Sequence, residues 1–372
     1  MKVSRPCARS VVPRHSKRYA SAANKNDELN LKTNIMKSPL GTGEGAISRR
    51  EFAKNAGWLS AALAGWSTCG SAFGVQAGQR QRISYYRDGE IYVTDVGKPE
   101  RAPLTTGHMD FKPSWSKTGD RLVCFRRHND DPDVSKWLTS IFIINVDGSG
   151  LHVLTDGTRT DFNPTWSRDG KNTPIWSRRN LKGGGYHVMQ GRIGGKPGEE
   201  VALTDEGFHT WAHSCLMNGQ IFVNSTHPTQ GRGVYLLSAE GEREARYERM
   251  HCELSATGQL HRASISPSEK KICFEYLPGF KFTEAGHTLY VADFDAEKRS
   301  ITNFKVIANA EGMKGWYAYP RWIKGESAVV YHLNDSGKGR LYVYDLSDGS
   351  TTCVSTDNGA DYRYPHGEAA PC

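Results

Sequence analysis

Apolar and polar residues alternate along this chain in short runs, and the runs recur at a fixed interval. Ile91-Tyr-Val-Thr-Asp95, Ile143-Ile-Asn-Val-Asp147, Leu289-Tyr-Val-Ala-Asp293 and Leu341-Tyr-Val-Tyr-Asp345 are the same phrase. Asp95 to Asp147 and Asp293 to Asp345 are both steps of 52 residues. A second phrase couples Leu104-Thr-Thr-Gly107 to Trp115-Ser116 and Leu154-Thr-Asp-Gly157 to Trp166-Ser167, the tryptophans 51 residues apart, and Leu203-Thr-Asp-Glu206 opens the next unit. Period-two alternation predicts strands. Repetition of short strands at this interval predicts one four-stranded blade per unit, arranged around an axis.

The expected fold is therefore an all-β propeller. The unit containing Arg82–Arg87, Glu90–Val96 and Ala102–Thr106 lacks an inner strand. Later units span roughly 112–155, 158–206, 207–250, 258–310 and 315–359. The tail supplies the missing strand if His366-Gly-Glu-Ala-Ala-Pro371-Cys372 aligns with His108-Met-Asp-Phe-Lys-Pro113-Ser114. A C-terminal inner strand would close six blades and leave no open sheet edge. A fragment of a seven-bladed ring is the alternative.

Charge divides the chain in two. Of 48 Lys and Arg and 40 Asp and Glu, residues 1–79 hold 12 and 4, so the leader carries the whole +8 and residues 80–372 balance. That balance removes the main argument for a nucleic-acid partner. In the leader, Ser48-Arg49-Arg50-Glu51-Phe52 precedes a mild apolar stretch from Ala56 to Ala64 and resembles a twin-arginine export signal. The stretch is too short for a transmembrane anchor. Cleavage after Ala77 is one reading, lipid attachment at Cys69 another, and Met36 is an alternative start. The expected product is a monomeric propeller, exported to the periplasm or beyond.

Chemistry is sought among polar exceptions at the ends of strands. His108 and His128 lie 20 residues apart around a strand-turn-strand return. Arg126 and Arg127 precede His128, Arg178 and Arg179 fall at the same place one unit on, and Tyr186-His187 follow a glycine-rich turn. Arg pairs suit bidentate grip on a carboxylate. His366 joins this set through the tail alignment. Asp110 and Asp161 are expected either to line the tunnel mouth or to bond backbone amides between blades. His209, His213 and Cys215, with His227 beyond the next turn, form a candidate zinc or calcium site, since zinc accepts nitrogen and sulfur donors. His251, Cys252 and His261 are a second such set. No nucleophile elbow, P-loop or dinucleotide fingerprint occurs.

Across 80–372, Trp115-Ser-Lys-Thr-Gly119, Trp166-Ser-Arg-Asp-Gly170 and the Tyr-Val-x-Asp phrases resemble the repeats of the periplasmic Tol-system propeller and of propeller-shaped polysaccharide lyases. The histidine pair and basic strand ends resemble ulvan lyases and, more distantly, oligogalacturonate lyases. That resemblance implies beta-elimination on a uronic-acid polysaccharide: an Arg or cation neutralises the carboxylate, one His or Tyr removes the C5 proton, and another protonates the leaving oxygen. It implies catalytic roles for His108, His128, Tyr186 and Arg179, with substrate contacts from Arg127, Arg178, His187 and His366. The other expectation is a non-catalytic exported propeller that binds an envelope protein or glycan.

Overall fold

The structure is a computed structural model that describes residues 81–98, 102–182, 184–207, 209–239, 245–279, 287–309, 316–335, 337–356 and 358–368. The leader, with Arg49-Arg50, Cys69 and Ala77, lies outside the described residues. Five antiparallel sheets have four strands each, and a sixth has three. Each sheet is one blade. The inner strands are Tyr362–Gly367 for blade 1, then Met109–Trp115, Asp161–Trp166, Thr210–Cys215, Gly258–Ile265 and Trp316–Ile323 for blades 2 to 6.

The repeated phrases of the sequence turn out to be repeated structural duties. In blade 2 the Leu154 amide donates to the Ile141 carbonyl, and the Thr155 hydroxyl accepts from the Ile141 amide at 2.9 Å. Leu104-Thr105 holds Ile91 in the same way, Leu203-Thr204 holds Val188, and Val354-Ser355 holds Leu341. The pair therefore continues the edge of the outermost strand in blades 2, 3 and 6, takes its place in blade 1, and satisfies buried backbone groups. The Trp-Ser pair has two functions. Trp115, Trp166 and Trp322 donate their indole N–H to the carbonyls of His366, Ser114 and Ser264 in the preceding blade, at 3.0, 2.9 and 2.8 Å. The serine hydroxyls of Ser116 and Ser167 accept from Arg121 and Thr173 and so fix the turn into the second strand.

Blades 4 and 5 have Cys215 and Ile265 where blades 2, 3 and 6 have Trp. There the junction uses serine: Ser177 accepts from the Ala212 amide at 3.0 Å and Ser214 from the Ile265 amide at 3.2 Å. Buried apolar side chains fall into six groups, one at each blade junction. Their burial is the main favourable term holding the ring together. Cys124, Cys215, Cys252 and Cys273 are buried, unpaired members of these groups.

Closure occurs as expected, in a different register. Tyr362–Gly367 pairs with Arg82–Arg87, Ser84 opposite His366 and Arg87 opposite Tyr362. Pro365 thus takes the place of Pro113 and Pro164, and His366 matches Ser114 instead of His108. The residue before each of these prolines, Tyr364, Lys112 or Asn163, has φ of 52°, 51° or 50°. Each marks a bulge that bends the inner strand and turns a side chain toward the axis. Arg262 and Tyr319 repeat the conformation in blades 5 and 6.

Candidate functional site

Inner strands begin, second strands end and third strands begin at one end of the ring, which gathers most of the predicted residues onto blades 2 to 4. His108 is exposed just before Met109–Trp115. His128 follows Arg121–Arg127, and its Nε2 lies 2.9 Å from the Ser140 hydroxyl. Its pKa is lowered by burial and by the nearby Arg126 guanidinium, with His108 adding to the effect. The pair sits on one blade, as the spacing predicts.

Three of the four arginines have engaged guanidinium groups. Arg178 binds both oxygens of Asp161, at 2.7 and 3.0 Å, and reaches Glu200 at 2.9 Å. Arg126 grips Asp110 identically, at 2.7 and 2.9 Å. These carboxylates are fully buried, and each neutralises the Arg on the adjacent strand of its own blade. The Asp110 and Asp161 carboxylates are thus committed chiefly to arginines of their own blades, while their backbone N–H groups donate to the preceding blade, at the Gly89 carbonyl and the Thr139 hydroxyl. Arg127 pairs with Asp130 at 3.0 Å and lies over Trp137 at 4.7 Å. Arg179, half-buried, has its carbonyl bonded by Arg159.

Tyr186 stands edge-on to Trp211, ring centroids 4.3 Å apart, with His209 at 5.7 Å. His187 is buried against Asn180 at 2.7 Å, and burial pulls its pKa to about 4. His366 is elsewhere: it lines the tunnel, 3.3 Å from the Ser114 hydroxyl, with its pKa pulled to about 3 by burial and then by Arg321.

The metal expectation is corrected. Among the described residues no group of three or more His, Cys, Asp or Glu could hold a metal ion. His209 sits at the strand end against Tyr186, His213 turns into the tunnel, and Cys215 packs in the junction of blades 3 and 4, its thiol pushed up to about 12 by burial. His227 accepts backbone N–H groups of its own turn through Nδ1 and packs against Tyr247. A bulge between Ala212 and Ser214 breaks the simple alternation that would have put His209, His213 and Cys215 on one face. Neither zinc nor calcium has a site there.

Composition and spacing overlooked the ring's centre. The inner strands enclose a cavity of about 50 Å³ whose lining includes Lys112, Asn163, His213, Arg262, Arg321 and His366. The residue preceding the inner-strand proline was the available signal, because it breaks the repeat with Lys112, Asn163, Tyr319 and Tyr364.

No family model matches the chain. Human methanethiol oxidase is 28% identical over 113 residues, covering 30% of this chain and 24% of that protein. Dipeptidyl-peptidase 5 of Porphyromonas endodontalis is 54% identical over 37 residues, 10% of this chain and 5% of its own. The chain thus spans a quarter or less of these relatives. Among solved structures, TolB from Acinetobacter baumannii superposes with a TM-score of 0.56 at 15% identity, over 77% of this chain and 66% of that one. The lyase expectation is corrected on these grounds. The likeness is to a TolB propeller, Arg178, expected to contact the substrate, is committed to Asp161 and Glu200, and the cation expected to assist has no ligand set among the described residues. Among the described residues no helix is long and apolar enough to cross a membrane, which says nothing of strands. The chain forms a six-bladed β-propeller that resembles TolB.

Proposed function

We propose that this propeller is a non-catalytic binding module that works outside the cytoplasm and captures a protein partner on the end formed by blades 2 to 4. One observation carries the reading: half-buried Trp137, Tyr186 and Trp211 stand together there over a rigid aromatic base. Phe111 supports Trp137 at 5.7 Å, and Phe162 lies 6.4 Å from Trp211. Arg127 stacks on Trp137. Trp, Tyr and Arg carry most of the energy of protein interfaces, because they combine large apolar area with a polar tip and little rotamer freedom to lose. Here those side chains are already locked by one another, so less ordering entropy opposes docking. The likeness to TolB supports an exported site of action.

The test is capture from the envelope fraction of the source cells by the tagged full chain, beside Trp137→Ala and Tyr186→Ala. The expected result is a discrete protein retained by the wild type and lost from both variants. Retention of the same proteins by all three chains would overturn the reading, as would retention of glycan alone.

A further inference from the structure

The centre of the ring concentrates positive charge without matching negative charge. Lys112 from blade 2, Arg262 from blade 5 and Arg321 from blade 6 face the same cavity. One carboxylate serves them. Glu275, fully buried, takes Arg262 through both oxygens, at 2.8 and 2.6 Å, and also contacts His287. It leaves Lys112 and Arg321 without an ion pair among the described residues. Among the described residues Lys112 meets the Asn163 side-chain oxygen and the π faces of Tyr319 at 4.7 Å, Tyr364 at 5.5 Å, and Phe125 and Phe162 at 5.9 Å. Arg321 donates to two backbone carbonyls, those of Arg262 and Pro320, at 2.7 and 2.8 Å.

A third donor is idle. His213 lines the cavity, is 8% exposed, and its Nε2 has no hydrogen-bond partner among the described residues. A buried polar atom left unpaired is costly, and so is a cation drawn out of bulk water without an anion, as half-buried Lys112 and Arg321 are. Three such groups on blades 2, 4 and 6 converge on one space, which is difficult to explain as packing alone. Ser114, Ser214 and Ser264 line the same space.

Size limits what can enter. A water needs roughly 10–15 Å³ of such volume, so about 50 Å³ admits one carboxylate or phosphate group and excludes a sugar ring. We propose that the tunnel centre is an oxyanion-binding site, in which Arg321, Lys112 and His213 hold a single carboxylate or phosphate group. The neighbouring charges agree with this. Burial, then Arg262 and Arg321, hold the Lys112 ammonium well below its usual range, while Glu275 pulls the other way. A bound anion would reverse that balance and favour the charged lysine. The site is independent of the aromatic end, and either reading can fail without the other.

The experiment is isothermal titration of the full chain with sodium phosphate and with sodium acetate, at constant ionic strength in chloride. A short peptide with a free C-terminal carboxylate is compared with its amide. Saturable binding of phosphate or acetate is expected, weakened about tenfold or more in Arg321→Gln by loss of a charge-assisted bond and partly restored in Arg321→Lys. Binding by the peptide acid but not the amide would identify a chain terminus as the natural source of the group. Circular dichroism checks folding, and if Arg321→Gln does not fold, Lys112→Gln and His213→Gln carry the comparison. Absence of saturation with every probe, or equal affinity in wild type and folded variants, would overturn the proposal.

Discussion

The indole N–H of Trp166 in blade 3 donates to the carbonyl of Ser114 in blade 2 across 2.9 Å, while the Ser114 hydroxyl faces the tunnel beside His366. One residue thus joins the blade junction to the central cavity. Junction stability and cavity shape are coupled through that strand.

Replacement of Trp166 by Phe keeps an aromatic ring and deletes the donor. The Ser114 carbonyl then loses its indole donor, and the expected cost is about 0.5–1.5 kcal/mol. Trp166→Ala also empties the junction and costs about 3–5 kcal/mol. Urea unfolding midpoints for the two variants order them, and equal midpoints would refute a separate role for the hydrogen bond.

Arg178→Met strands the fully buried Asp161 carboxylate, and a broken buried pair costs about 3–5 kcal/mol. Combining it with Asp161→Asn removes the orphaned charge and recovers part of the loss. Arg179→Ala, one residue along and with no such pair among the described residues, shifts the melting temperature little. Differential scanning calorimetry of the three variants gives the comparison.

In blade 2, Thr155→Val removes the acceptor for the buried Ile141 amide at nearly constant volume, for an expected loss of about 1–3 kcal/mol. Thr155→Ser keeps it, since Ser355 performs the same duty for Leu341 in blade 6. Chemical denaturation distinguishes the clamp from simple packing: Ser must lie close to wild type and Val well below it.

Stability should decline as pH falls from about 6.5 toward 4. Burial depresses His213 and His366 to about 3 and His187 and His209 to about 4, below their ordinary 6.5. Between the folded and unfolded values the unfolded chain binds more protons, so acid favours unfolding. Asp161, raised by burial, works in the opposite direction but is one group against four. Denaturation midpoints of wild type and His213→Gln across this range should show a shallower slope for the variant; identical slopes would remove His213 from the account.

The fold was legible because its repeated phrases are repeated obligations. Leu154-Thr155 must feed Ile141, and Trp166-Ser167 must staple a blade and close a turn, so the same letters return wherever the geometry returns. The candidate site was less legible. Asp110 and Asp161 recur with Arg126 and Arg178 at offsets of 16 and 17 residues, which marks buried pairs within a blade and leaves Arg178 unavailable to a substrate. His366 was misplaced because the tail alignment followed a histidine and a carboxylate, whereas the shared proline at 113, 164 and 365 sets the register. Lys112, His213 and Arg321 are far apart in sequence, and only the closed ring brings them to one cavity.

Closure also imposes an order on biosynthesis. Ser84 and His366, paired across the seam, are 282 residues apart. The hairpin Arg82–Asp95 emerges early from the ribosome and must wait, one edge unpaired, while five other blades are made. Such long-range pairing is slow and leaves edges open to aggregation. The first blade begun is therefore the last finished, and a cell making this protein must shield its opening strands until the final ones arrive.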